Sequence, residues 1–174
     1  VWSHAAVARY ESNLAGDGPR ATPTIHGGNV YTLGATGVLS ALELASGRCL
    51  WTLNVIKDVA GKVPDWGMSG SPLVCDGNVV VGTGAGSSLA AYDATTGERV
   101  WKNGDDSVGY ASPRLVTLAG VMQVVVFNHA SVAGHDPGDG RVLWAHPWSD
   151  RQPNVAQPLP VGGRRLLASS GYGV

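Results

Sequence analysis

Charge is scarce in this 174-residue chain and evenly balanced, with 12 lysines and arginines against 13 aspartates and glutamates and no run of either sign. Such a surface does not gather nucleic acid or an anionic membrane by electrostatics. No apolar stretch approaches the ~20 residues of a membrane-spanning helix, and no window of a dozen residues carries a helical stripe. The five histidines, His4, His26, His129, His135 and His146, show no two-histidine ligand spacing. Gly82-Thr-Gly84-Ala-Gly86 is followed by a strand pattern, so it presents no helix N-terminus to a phosphate. An initiating methionine is missing and no secretory signal is visible.

What the chain does have is a phrase that returns. Its clearest copy is Ala91-Tyr-Asp93-Ala-Thr-Thr96-Gly97-Glu-Arg-Val-Trp101. Earlier stands Ala41-Leu-Glu43-Leu-Ala-Ser46-Gly47-Arg-Cys-Leu-Trp51, and later Gly134-His-Asp136-Pro-Gly-Asp139-Gly140-Arg-Val-Leu-Trp144. A second landmark, a proline opening an apolar run, falls at Pro23, Pro72, Pro113 and Pro158. A stride in the forties with several short strands per copy is the propeller range. Within the second copy, runs at 71–75, 79–83, 89–92 and 98–102 are each bounded by Gly, Asn or Asp, which predicts a four-stranded antiparallel blade.

The sequence therefore predicts an all-β fold, a β-propeller with blades at about 20–55, 68–103 and 110–146 and a partial blade at 155–174. Asp93 is placed to accept hydrogen bonds from its own turn, and Gly97 supplies the positive φ that the turn needs. Trp51, Trp101 and Trp144 are expected to pack flat on the neighbouring blade, each burying on the order of 150–250 Å². Cys49 and Cys75 fall on outermost and innermost strands. That is beyond the ~5.5 Å Cα separation of a disulfide, so both are expected as buried free thiols.

The phrase at 91–101 resembles the tryptophan-docking motif of the pyrroloquinoline quinone (PQQ) type β-propellers. That family includes the quinoprotein alcohol dehydrogenases and the outer-membrane protein assembly lipoprotein. The resemblance implies an eight-bladed ring of which this chain is a fragment, and a periplasmic or cell-envelope location. The first and third copies depart from the motif at Glu43 and Ser46 and at Gly134 and Asp139.

For function, the resemblance leaves three readings. The first is a non-catalytic segment that serves as a binding or assembly scaffold, with no cofactor and with a protein or small ligand at the propeller mouth. The second is a piece of a dehydrogenase that uses PQQ and Ca²⁺, and the third is the sensor propeller of a larger signalling protein. The dehydrogenases are marked by adjacent cysteines, and no Cys-Cys occurs here. Quinone chemistry needs a carboxylate base and oxygen ligands for Ca²⁺, yet Glu43, Asp76, Asp93, Asp136 and Asp139 fall in turns and the other eight acids show no ligand-like spacing. No catalytic residue and no metal ligand is therefore assigned. Residues just before the opening prolines, Arg20, Trp66 with Ser69, Tyr110 and Asn154, are expected to line the mouth. Trp66 lies outside the phrase. It is either an exposed interface aromatic or packing for its own loop.

Overall fold

The computed structural model describes residues 1–13, 16–84, 87–149, 151 and 153–171. Residues 85–86 of the glycine-rich run and 172–174 of the expected last blade lie outside them. The first sheet joins β1 (Thr24–His26), β2 (Asn29–Leu33), β3 (Val38–Glu43) and β4 (Cys49–Asn54). The second joins β5 (Leu73–Cys75), β6 (Asn78–Gly82), β7 (Leu89–Asp93) and β8 (Arg99–Asn103). The third joins β9 (Arg114–Leu118), β10 (Val121–Phe127), β11 (Ser131–His135) and β12 (Val142–Pro147). A hairpin of β13 (Leu159–Val161) and β14 (Arg165–Leu167) follows. Strands lie in chain order within every sheet, each antiparallel to its neighbour. The chain is a partial β-propeller.

Alternation along the strands decides which sheet meets which. Tyr31, Leu33, Leu39 and Ala41 pack with Val79, Val81, Ala90 and Tyr92 between the first and second sheets. Val80, Leu89 and Ala91, one residue out of step, instead join Val124 and Val126 of the third sheet. Val125 and Phe127 in turn cluster with Leu166 and Ala168 beside β14. A period of two sends successive side chains of one strand into different junctions. Each fully buried valine contributes on the order of 1.5–3 kcal/mol.

The tryptophans bridge the same junctions in a repeated way. The indole N–H of Trp2 donates to the Leu44 carbonyl at 2.8 Å, that of Trp51 to Ala94 at 3.1 Å, and that of Trp101 to Pro137 at 3.1 Å. Each acceptor is the residue after the phrase acid. The same three indoles lie against Gly47, Gly97 and Gly140, all at positive φ, where a Cβ would collide with the ring. Asp93 accepts the N–H groups of Thr95 and Thr96, both at 2.8 Å. Those bonds, Thr96 first, hold its carboxyl below the usual carboxylate range. In the first copy the Ser46 hydroxyl, and after it Arg48, does the same for Glu43.

Trp144 differs. Its N–H meets the Gln123 side chain of its own sheet. Ala41 stands opposite Trp51 and Ala91 opposite Trp101, but Gly134 stands opposite Trp144, which lets that indole come closer. Four residues on, Trp148 stacks edge-on against Phe127 at 5.3 Å and donates to Ser170 Oγ at 3.0 Å.

Two further features depart from expectation. A short helix, α1 (Val55–Asp58), follows β4, with the Asn54 side chain accepting the Lys57 N–H as its cap. Four residues are too few to show a period, so the sequence hides it. Its Val55 and Ile56 are buried between the first two sheets. Of the thiols, only Cys75 is buried, and burial pushes it up to about 11. Cys49 is exposed, because β4 is the open edge of its sheet.

The inner strands are linked as well. The N–H of Thr22 donates to Ser71 Oγ, and that of Ser71 to Ser112 Oγ, both at 2.9 Å. Gln157 Nε2 reaches the Ser112 carbonyl at 3.3 Å. Each of these four residues directly precedes an opening proline, so the relay follows the repeat.

Candidate functional site

The segments that run between sheets meet in one continuous set of contacts. Arg20 is half-buried; its guanidinium donates to the carbonyls of Gly18 and Gly16 at 2.7 and 2.6 Å. Its Cζ lies 4.9 Å from the centre of the Tyr10 ring, a cation–π distance. Tyr10 Oη donates to the Asp65 carbonyl at 2.6 Å. The next residue, Trp66, stacks on Tyr110 with centroids 5.2 Å apart and planes at 29°.

From Tyr110 the contacts continue inward. Ser69 Oγ donates to the Tyr110 carbonyl at 2.9 Å, and the Tyr110 N–H to the Asn154 carbonyl at 2.8 Å. Asn154 is buried, and its Nδ2 donates to the carbonyls of Asn128 and His129 at 2.9 and 2.8 Å. Burial raises the Tyr110 phenol above its ordinary value, opposed by the Trp66 backbone N–H and helped by the charge of Asp65.

The five residues expected at the mouth thus fall in one network of contacts, but they do different things. Ser69 and Asn154 are engaged inside the protein. Trp66 and Tyr110 are partly exposed, and Arg20 forms no ion pair among the described residues. Tyr10, which sequence reasoning did not single out, joins Arg20 to the Trp66 loop. Asn128 and His129, which hold Asn154, carried no signal. Lys57 and Asp58, in the connection between β4 and β5, belong to α1. Asp58 pairs with Arg99 Nη1 at 2.7 Å and accepts from Tyr92 Oη at 3.0 Å.

A cleft of about 750 Å³ lies between the N-terminal residues and the face of the first sheet formed by Val30, Val38, Ser40 and Leu42. Trp2, Arg9 and Tyr10 form part of its opposite wall.

A Ca²⁺ ion needs six or more oxygen ligands. Asp58 is engaged by Arg99 and Tyr92, and Asp106 by the Ala130 N–H and the Ser131 hydroxyl. Among the described residues no three His, Cys, Asp or Glu side chains converge. Among the described residues the donor set does not fit the ion.

The family model described as outer membrane protein assembly factor BamB matches residues 1–174. The quinohemoprotein alcohol dehydrogenase of Comamonas testosteroni is 35% identical over 80 residues, covering 43% of this chain and 11% of that protein. The quinohemoprotein alcohol dehydrogenase ADH-IIG of Pseudomonas putida is 30% identical over 171 residues, covering 90% and 23%. The chain therefore spans less than a quarter of either curated relative. Among solved structures, the Comamonas enzyme superposes with a TM-score of 0.64 at 21% identity, over 87% of this chain and 32% of that one. BamB from Moraxella catarrhalis gives 0.58 at 22% identity, over 80% and 39%.

Proposed function

Since the chain belongs to the PQQ-like repeat family described as outer membrane protein assembly factor BamB, we propose that it is a non-catalytic propeller segment, a binding and assembly scaffold of the bacterial cell envelope. The observation that supports this reading is the aromatic ledge at the mouth. Trp66 and Tyr110 stack on each other, both partly exposed, and hydrogen bonds with Ser69 and Asn154 tie the Tyr110 backbone to the protein. Rigid, half-exposed aromatics next to an arginine are what protein interfaces favour. A protein partner, or a small ligand, sits against Trp66, Tyr110 and Arg20, while Ser69 and Asn154 set their positions.

In the same reading the blades span about 20–55, 68–103 and 110–146, with a partial blade from 155. Trp51 and Trp101, with Asp93 and Gly97, hold successive blades together, and Trp144 serves the blade after its own. The location is the periplasm or envelope, inferred from the family; no helix among the described residues is long and apolar enough to cross a membrane.

A second reading is favoured by the 30% identity that runs along nearly the whole chain to a quinohemoprotein alcohol dehydrogenase. On that reading PQQ and Ca²⁺ bind in the full-length protein, with ligands from outside this segment. Titration of PQQ with Ca²⁺ into the full-length protein separates the two. The scaffold reading expects neither stoichiometric binding nor alcohol-dependent dye reduction. Finding both overturns it.

A further inference from the structure

We propose that His135 makes the junction between the second and third sheets sensitive to protons, so that mild acid loosens the connection carrying Tyr110. His135 is fully buried at the end of β11, opposite Val124. It follows Gly134 as Tyr92 follows Ala91 and Leu42 follows Ala41. At that place the side chain turns back toward the preceding sheet: Tyr92 packs with the first sheet, and Leu42 lines the cleft in front of it. His135 accordingly faces the second sheet, where a Cβ on Gly104 would stand 3.0 Å from its Cε1 and press on Ser88.

The hydrogen bonding of the ring is one-sided. Nδ1 lies 2.8 Å from the Gly140 carbonyl oxygen, which fixes the proton on Nδ1 as a donor. Nε2 is buried with no hydrogen-bond partner among the described residues. A bare nitrogen acceptor is tolerable there. Protonation would turn it into a buried cationic donor with nothing to receive it, which is far more costly.

Among the described residues no neighbouring charge offsets that cost. On its own sheet, Asp136 is held by the Gly138 N–H and Arg141, and Asp139 by Arg141. From the second-sheet side, Lys102 and Asp105 are exposed, and the Asp106 carboxylate is engaged by Ala130 and Ser131. Burial holds the imidazole below its ordinary value, with the Gly140 carbonyl pulling the other way.

The sign follows from linkage. The unfolded chain takes up the proton near pH ~6.5, and the folded chain refuses it until lower pH. The full stability is present above ~6.5 and is lost as pH falls from there through the depressed folded value, by up to about tenfold in the folded-to-unfolded ratio per pH unit. The strain has a defined place to go. Gly104 opens the connection in which the Ser88 hydroxyl holds Asp106 and the Tyr110 N–H meets Asn154. Loosening there frees the ring on which Trp66 stacks. This sensitivity stands whether or not the mouth binds a partner.

The test compares the full-length protein with His135→Tyr, the residue used at this place in the second sheet, and with His135→Gln. Urea unfolding is followed at pH 7.5, 6.0 and 5.0. Between pH 7.5 and 5.0 the parent should lose more of its folded-to-unfolded ratio than either variant loses. Hydrogen exchange, corrected for its intrinsic pH dependence, should show amides 104–110 losing protection before those of β2 and β3. Parallel pH profiles for parent and variants overturn the proposal. If both variants fail to fold, the imidazole resonances of the parent decide: titration of His135 below the ordinary ~6.5 supports it, and titration at or above ~6.5 overturns it.

Discussion

The indole nitrogen of Trp101 stands 3.1 Å from the carbonyl oxygen of Pro137, and its ring lies against Gly140 three residues further on. One side chain of the second sheet thereby holds both the acid end and the glycine end of the turn in the third. Trp101→Ala is expected to destabilise by about 3–5 kcal/mol, as for other buried aromatics. Urea unfolding of the parent and variant measures it, and a loss under ~1 kcal/mol would contradict a holding role.

Gly140 and Gly77 share φ of 73°, yet a Cβ at Gly77 meets nothing within 4 Å, while one at Gly140 strikes the Trp101 ring. Gly77→Ala reports the backbone penalty alone, on the order of 1 kcal/mol. Gly140→Ala should cost roughly 1–3 kcal/mol more, because the ring must shift. Equal losses would show that the indole gives way freely.

Asp58 and Arg99 join α1 to β8 at 2.7 Å, with each side chain about one-third exposed. A double-mutant cycle with Asp58→Asn and Arg99→Gln should give a coupling of about 0.5–1 kcal/mol that shrinks in high salt. Tyr92→Phe should weaken the same site, since its phenol donates to Asp58. A coupling near zero at low salt would reduce the pair to a surface contact.

The two thiols should react at very different rates. Cys49 is exposed, whereas Cys75 is buried with its thiol raised to about 11. In native protein at pH 8, a thiol reagent should label Cys49 promptly and Cys75 only with unfolding, because the thiolate is the reacting species. Simultaneous labelling would mean that the Cys75 face opens readily.

How much could be read in advance depends on how local each feature is. The sheets were legible because their turns are written in adjacent residues: Gly27-Gly28, Asp76-Gly77 and Gly162-Gly163 all adopt positive φ between paired strands. Position before an opening proline was enough to bring Arg20, Trp66, Ser69, Tyr110 and Asn154 into one group, because the repeat fixes where each inner strand begins. Their separate duties were not legible. That Asn154 is buried against Asn128 and His129, or that Tyr10 carries Arg20 to the Trp66 loop, depends on contacts between distant segments. Gly134 was visible as a departure from the phrase. Its meaning, room for Trp144 to meet Gln123, appears only once both sheets are in place.

The relay from Thr22 to Ser71 to Ser112 hands one bond from each inner strand to the next and none past it. Coupling between sheets is therefore a matter of nearest neighbours. Pulled from its two termini, such a chain would give way in discrete steps, one module at a time. Each rupture would leave the remaining modules bonded as before, so the molecule would extend as a staircase of force peaks.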